Sequence, residues 1–488
     1  MKQSKDEKNF IVTTEKGSRV IPALLVMYLK RKYDIKLFNG QFRVKKNHYY
    51  SEISNIKLLV SHEIPENLRK FANIEETANL LEVDKQLILN EKDLAAENFI
   101  SFKNGVLDVA TMKFSEHSND SKLIFINQVD YNWNTSAKTD KMTDKFFNTT
   151  CDGNQKDIDF LYQVLGVAMS GYRDFKNFFY FTGLKDTGKS QYLHLAESLL
   201  KSSDGSLDYS SIPLKTLTDE TSKEFVGIIG KRANISAETP SQLHIKNDVL
   251  LKAMTGGDRI RAERKFMEAI PFVNKAMLMF AGNDIPQFFT SDKGSIGERI
   301  MIYKFKNAVP LEQQIKSVHL KLDMEYIIQK AVKQLEIFVK NNQRFEEPEE
   351  AAYNREFMQM ESDSIYKYFK KRLVIVDGSK SRISTETMYD DYLLFMVKEG
   401  HLENDSYTHK PNISKFKITR YVFNVNMKKF IGEERYKRNL MCHGEKTDVF
   451  INVRMTTLIE EYEKTEDKKV FNEYQVDDFY DITGTQQS

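Results

Sequence analysis

The chain has 488 residues, more than one hydrophobic core ordinarily serves, and at ~100 to 200 residues per domain it suits about three. A hydrophobic share of 41% is enough for packed cores, a charged share of 29% gives a water-facing surface, and no apolar run approaches the ~18 residues of a membrane span. Lysine and arginine (72) nearly balance aspartate and glutamate (70), leaving a formal charge of +2 that neither demands nor excludes a nucleic-acid partner, since a locally basic channel fits inside a neutral chain.

The charged start MKQSKDEKNF is unlike a secretory leader, so the expected location is cytoplasmic, with no membrane contact. Cys151 and Cys442 stand far apart and in no paired spacing, which points to neither a disulfide framework nor a zinc site.

Residues 1–145 read as a mixed α/β domain. Helical patterns cover 21–33 and 73–94, the latter with Ile74, Ala78, Leu81 and Ile88 at near-helical spacing. The segment ENFISFKNGVLDVATMKF reads as strands around a turn at Asn104-Gly105. A polar, small-residue stretch then leads into the next domain. Between 150 and 343 apolar strands alternate with helices, an α/β rhythm with strands expected at 177–182, 232–238, 275–283 and 300–305. The charged segment NNQRFEEPEEAAYNREF marks a second boundary. Residues 350–488 combine helical TETMYDDYLLFMVKEG and TTLIEEYEK with strand-like TDVFINVRM, which suits a helical or winged-helix module. Its basic clusters Lys370-Lys371-Arg372, 415–420 and Lys428-Lys429, with aromatics interleaved, suit a helix placed in a DNA groove; a solvated charged face is the plain alternative. The final DITGTQQS reads as a frayed tail.

The chemistry-bearing signal is GLKDTGKS: Gly183, Leu184, Lys185, Asp186, Thr187, Gly188, Lys189 and Ser190. Apolar FFYF enters it as a buried strand, and QYLHLAESLL leaves it as a helix with Leu193, Ala196, Leu199 and Leu200 on one face. In that context it is a complete phosphate-binding loop, with glycines that let backbone N–H groups curl round phosphates, a lysine for the β- and γ-phosphates and a hydroxyl for Mg²⁺. ATP and Mg²⁺ are therefore the expected cofactors. Such a loop needs an acid on a second strand, and KRANISAETP supplies Glu238, which would otherwise serve as a cap for a helix starting near Ser241.

In their order, FKNGVLDV, GLKDTGKS, ISAE, KAMTGGDRIRAERKF, LMFAGNDIP and GERIMIYKF resemble superfamily 3 helicases, a branch of the AAA+ ATPases. The likeness spans about residues 95 to 310 and lies with phage, satellite and poxvirus-type primase-helicases, the nearest look being that of staphylococcal pathogenicity-island replication initiator helicases. It implies an AAA+ P-loop core and an ATP-dependent DNA helicase, the replication initiator of a mobile genetic element. It further implies a homo-hexameric ring on single-stranded and duplex origin DNA, with host or element-encoded replication proteins as further partners, and an N-terminal collar for assembly.

Position by position, the resemblance implies that Asn283 is the polar sensor of the γ-phosphate and Arg299 the arginine finger given to a neighbour's ATP. Lys252 would be a second basic residue reaching across that interface. Alternatives for these are a turn former, a surface ion pair and a solvated lysine. Many relatives carry two adjacent acids where Ala237-Glu238 stands here, so Mg²⁺ falls to Ser190, with Glu238 the one carboxylate at hand. Too few residues precede the match for a full primase domain.

Between Gly257 and Asn283, Arg259, Ile260, Arg261 and Ala262 alternate as one arm of a hairpin and EAIPFV returns as the other. Its tip falls near Arg264 and Lys265, followed by Phe266, and the expected DNA contacts are Arg259, Arg261, Arg264, Lys265 and Phe266. A hairpin of this kind separates a DNA motor from a protein-remodelling ATPase, and the intact Lys189, Glu238 and Arg299 argue against the other competing reading, a DNA-binding initiator without unwinding.

Overall fold

The computed structural model describes residues 8–456, apart from residues 16, 119–121, 137–138, 220–221, 223, 242, 263–269, 289–292, 406–407 and 414–416. It is a mixed α/β protein of two compact units, Met1–Glu356 and Phe357–Ser488. No described helix is long and apolar enough to cross a membrane.

In the first unit a hairpin, β1 (Ile11–Thr14) and β2 (Gly17–Val20), leads into α1 (Pro22–Tyr33). Next come β3 (Ile35–Phe38), β4 (Gln41–Lys46), β5 (Tyr49–Glu52), α2 (Ile56–Glu63), α3 (Phe71–Glu82) and β6 (Ile88–Leu89). The strands join in the order β5-β4-β3-β6, and Leu25, Leu29, Val60 and Leu81 of the helices pack against them. The helix expected over 73–94 stops at Glu82. Asp84 turns out of it, accepting from the Gln86 amide at 2.9 Å and pairing with Lys30 of α1 at 2.5 Å, so the chain re-enters the sheet and Ile88 lies on a strand opposite Leu37.

Strands β7 (Phe99–Phe102), β8 (Gly105–Asp108) and β9 (Lys113–Glu116) form an antiparallel sheet. Phe102 pairs with Gly105, which makes Lys103-Asn104 the turn, one position before the expected one, and Gly105 the first strand residue. Gly105 is needed there because a Cβ would strike the Ser115 carbonyl and the Phe114 ring. Asn104 instead brackets Trp133, bonding its N–H at 2.8 Å and its carbonyl at 2.9 Å.

Helices α4 (Lys141–Thr150) and α5 (Gln155–Met169) precede β10 (Phe178–Gly183), and α6 (Lys189–Leu199) follows it. Then come β11 (Tyr209–Ser210), β12 (Ala233–Thr239), β13 (His244–Ile245), α7 (Val249–Gly256) and the hairpin of β14 (Arg259–Ala262) and β15 (Ile270–Val273). The remainder is β16 (Met277–Gly282), β17 (Gln287–Phe288), α8 (Lys293–Arg299), β18 (Ile300–Phe305) and α9 (Met324–Lys340). Five of these strands make one parallel sheet in the order β11-β12-β16-β10-β18. Four coincide with the expected strands to within two residues. A parallel sheet is covered on both faces, which is why Phe178, Phe179, Tyr180 and Phe181 are all fully buried.

The core beneath the sheet runs from α5 to α9 and takes in Ile100, Phe102 and Leu107 of the preceding small sheet. Helix α9 presents Ile327, Ile328, Ala331, Leu335 and Phe338 at helical spacing, and Asp323 caps it by accepting from the Tyr326 amide at 3.0 Å. Cys151, at the end of α4, is buried here and accepts a hydrogen bond from the Tyr303 hydroxyl at 3.3 Å.

The second unit contains the C-terminal half of α10 (Ala351–Ser362), then α11 (Ser364–Arg372), β19 (Leu373–Ile375), β20 (Arg382–Ser384), α12 (Thr385–Lys398) and α13 (Arg420–Ile431). It closes with β21 (Tyr436–Cys442), β22 (Glu445–Ile451) and β23 (Val453–Met455). An antiparallel sheet β20-β22-β21 covers a core of Tyr368, Tyr392, Phe395, Phe423 and Phe450. The segments TTLIEEYEK, beyond Thr456, and DITGTQQS lie outside the described residues.

Helices α5 and α9 meet at Gly166, where a Cβ would run into the Ala331 carbonyl and lie 3.0 Å from the Leu335 Cβ. Gly166→Ala should therefore overpack the interface and cost about 1–3 kcal/mol. Thermal unfolding followed by circular dichroism measures this, and an unchanged midpoint would show that the helices part without cost.

Candidate functional site

The loop of residues 183–190 joins β10 to α6, and its conformation explains its glycines. Gly183 has φ +141° with its Cα against the Phe305 carbonyl of β18, where a Cβ would collide, and Gly188 has φ +90° as the N-cap of α6. Asp186 takes φ +63° without being glycine; its carbonyl accepts from the Val309 amide at 2.9 Å, so the chain leaving β18 is fastened onto the loop. The Thr187 hydroxyl closes the turn by donating to the Leu184 carbonyl at 2.9 Å.

Lys189 is buried, and its ammonium donates to the carbonyls of Gly183 at 2.8 Å and Leu184 at 3.1 Å and lies 3.4 Å from Asn283 Oδ1. Burial lowers its pKa below the ordinary lysine value, opposed by the nearby Asp186 carboxylate. Three strand ends meet it. Residues Lys185 to Ser190 and Gln191, Ala237 to Pro240, and Gly282 with Asn283 line one cleft of about 650 Å³.

Glu238 reaches this cleft through a break in the ladder. β12 pairs with β16 regularly to Ser236, then shifts register before Thr239, so Ala237 and Glu238 bulge out and Glu238 stands exposed at the cleft. It caps no helix at Ser241, since α7 starts at Val249. Buried Asn234 anchors the strand below, exchanging bonds with the Ile212 amide at 2.7 Å and carbonyl at 2.9 Å.

The structure thus gathers Gly183 to Ser190, Glu238 and Asn283. It does not bring Lys252 or Arg299 to the same cleft. The Lys252 ammonium pairs with Asp248 at 3.0 Å, one turn back on α7. Arg299 donates from Nη1 to the Lys252 carbonyl and the Thr255 hydroxyl, each at 2.8 Å, closing the C-terminal turn of α7. It precedes Ile300, which pairs with Phe178 at the start of β10, whereas the phosphate loop follows the end of β10. At ~3.3 Å per residue that separates the two by roughly 17 Å along the sheet.

Arg259 and Arg261 lie on the exposed side of β14, with Ile260 and Ala262 buried, and the hairpin pairs Arg259 with Val273 and Ala262 with Ile270. Its tip, with Arg264, Lys265 and Phe266, lies outside the described residues.

The basic cluster at 370–372 is not the free groove-facing patch its composition suggests. Arg372 pairs with Asp391 at 2.6 Å and Lys371 with Glu399 at 3.5 Å, both on or beside α12. Lys428 lies 3.4 Å over the Tyr436 ring, and Lys415 lies outside the described residues.

Several cleft neighbours carried no sequence motif. Tyr180 donates to the Asp284 carbonyl at 2.7 Å and Thr182 to the Asn283 carbonyl at 2.8 Å. Gly282 lies against the Tyr180 hydroxyl so closely that a Cβ would strike it. The dipeptide Gly-Asn ending an apolar strand was the only available signal. For a divalent cation the cleft offers hard oxygen donors in the exposed Ser190 hydroxyl and Glu238 carboxylate, the donor class that suits Mg²⁺ beside phosphates.

Arg299→Ala removes the cap of α7 and should cost about 1–3 kcal/mol, because hydrogen bonds from a charged donor are lost. Chemical denaturation checks this, and an unchanged midpoint would mean that water replaces the guanidinium freely.

The chain matches a protein family described as "Family of unknown function (DUF5906)" over residues 181–299. Among solved structures it is similar to "The A form apo structure of NrS-1 C terminal region-CTR", with 12% identity, a TM-score of 0.49, and coverage of 88% of this chain and 99% of that one. "The apo structure of NrS-1 C terminal region (305-718)" has the same identity and coverage with a TM-score of 0.45.

Proposed function

We propose that the cleft binds and hydrolyses ATP, and that the chain is a ring-forming AAA+ motor of the superfamily 3 helicase type that unwinds DNA to initiate replication of a mobile genetic element. The observation that carries the reading is the convergence of Lys189, Glu238 and Asn283, from the ends of β10, β12 and β16, on one cleft at the mouth of a phosphate loop. The sensor-bearing strand β16 lies between the loop strand and the acid strand, as an AAA+ core requires.

In this reading the loop amides and the N-terminus of α6 hold the phosphates. Lys189 leaves the Gly183 and Leu184 carbonyls for the β- and γ-phosphate oxygens, whose negative charge offsets the burial that disfavours the ammonium. The Ser190 hydroxyl, with Glu238 across the cleft, would hold Mg²⁺. When bound, that ion would neutralise charge on the phosphate oxygens. Glu238 accepts the proton of the attacking water, and Asn283 orients that water against the γ-phosphate.

Arg299 sits far from its own cleft, which supports delivery to a neighbour's ATP in a hexamer, with Lys252 beside it on α7. The outward Arg259 and Arg261 of a hairpin leading directly into β16 support a DNA-facing element over a protein-remodelling one. The order α11, β20, α12, α13, β21, β22 with sheet β20-β22-β21 supports a winged-helix reading of the second unit.

Lys189→Ala should abolish ATP turnover, and Glu238→Gln should retain ATP binding while slowing hydrolysis by ~10³-fold or more. Phosphate release and binding of a non-hydrolysable analogue, measured together, test both; normal turnover by Lys189→Ala removes the reading.

If the finger acts in trans, Arg299→Ala subunits should bind ATP yet depress the turnover of mixed assemblies beyond their share, with a loss of ~10³-fold in the uniform variant. Titrating variant into wild type below the unfolding temperature measures this, and simple proportional dilution would show that each subunit works alone.

A further inference from the structure

We propose that Tyr180 and Thr182 are positioning residues that hold the sensor Asn283 in register with the phosphate loop, an inference that rests on reading the cleft as a hydrolytic site. The two stand two residues apart on β10 and therefore share one face of the strand. Each places a hydroxyl on the turn that leaves β16: Tyr180 donates to the Asp284 carbonyl at 2.7 Å, and Thr182 to the Asn283 carbonyl at 2.8 Å.

Two consecutive carbonyls are thereby fixed. Thr182 fixes the peptide plane that follows the Asn283 Cα, Tyr180 fixes the next one, and the ladder pairing of Gly282 with Thr239 holds the chain before it, so little freedom is left for the direction in which the Asn283 side chain leaves the backbone. That side chain ends 3.4 Å from the Lys189 ammonium, so sensor and phosphate lysine are set from the same strand.

The arrangement has a steric signature. Gly282 carries no side chain at the point where the Tyr180 phenol passes; a Cβ there would strike the hydroxyl and lie 3.1 Å from the Thr239 Cβ. Thr239 follows Glu238, so one phenol is lodged between the residue after the acid and the residue after the sensor. Burial pushes the Tyr180 phenol up to about 12, so it remains a donor at every working pH.

A tyrosine serving only as core filling would behave differently from one that sets geometry. Tyr180→Phe keeps the ring and removes the donor; Thr182→Val keeps the shape and removes the other. Each should leave the Kd for a non-hydrolysable ATP analogue within about twofold and the unfolding midpoint nearly unchanged, while kcat falls about tenfold, and further in the double variant. Thr182→Ser, which keeps the hydroxyl, should recover most of the wild-type kcat. Should Tyr180→Phe not fold, the Thr182→Val and Thr182→Ser pair still decides the matter.

A double variant with wild-type kcat overturns the inference, as does a loss of kcat that comes only with equal losses in analogue affinity and midpoint. A wild-type protein that neither binds the analogue nor releases phosphate overturns the underlying reading of the cleft instead, and it does so in the control arm before any variant is measured.

Discussion

Parallel pairing of β10 with β16 on one edge and β18 on the other fixes where three separate stretches of chain stop, and the cleft is built from those stopping points. Tyr180 lies opposite both Phe280 and Ile302, so the loop after Gly183, the turn after Gly282 and the segment after Phe305 leave the sheet at one level. Ladder bonds of a strand buried on both faces have no water to compete for them, and slipping by one residue would turn every side chain to the wrong face. The register is thus locked by the core. The site chemistry inherits that precision: Lys189, Asn283 and, through the bulge in β12, Glu238 are aimed by backbone that cannot shift without disrupting Phe178 to Phe181.

Much of this was legible in the sequence where the signal is local. The loop of residues 183–190 announces itself because Gly183 and Gly188 occupy backbone conformations that other residues avoid, and the strands because their apolar runs must be covered on both sides. The hairpin of β14 and β15 follows from alternation alone. Signals failed where a distant partner decided the outcome. Ile88 fits a helical repeat, yet Lys30 of α1 draws Asp84 out of the helix and Ile88 into a strand. Lys371 and Arg372 look free in the sequence, yet Glu399 and Asp391 meet them in the fold. Tyr180 and Thr182 read as core filling, since their acceptors lie about a hundred residues further on.

In the proposed reading, Arg299 answers to two constraints. Its guanidinium closes α7 within its own chain through two hydrogen bonds from Nη1, which restrain the long side chain. A cation offered to another molecule benefits from being held this way, since the entropy of ordering a long side chain is met during folding and not at the moment of binding. The two roles are compatible so long as the remaining guanidinium donors face outward.

Each compact unit contains one cysteine, Cys151 in the first and Cys442 in the second, and both are buried. Burial pushes the Cys151 thiol up to about 12, and Tyr303 holds it from the sheet side, so it offers almost no thiolate to an alkylating reagent while the fold is closed. Its rate of modification therefore keeps time for the opening of the layer that backs the loop of residues 183–190. Because the other thiol lies in the other unit, the molecule carries two internal stopwatches, one for each half, with no label added.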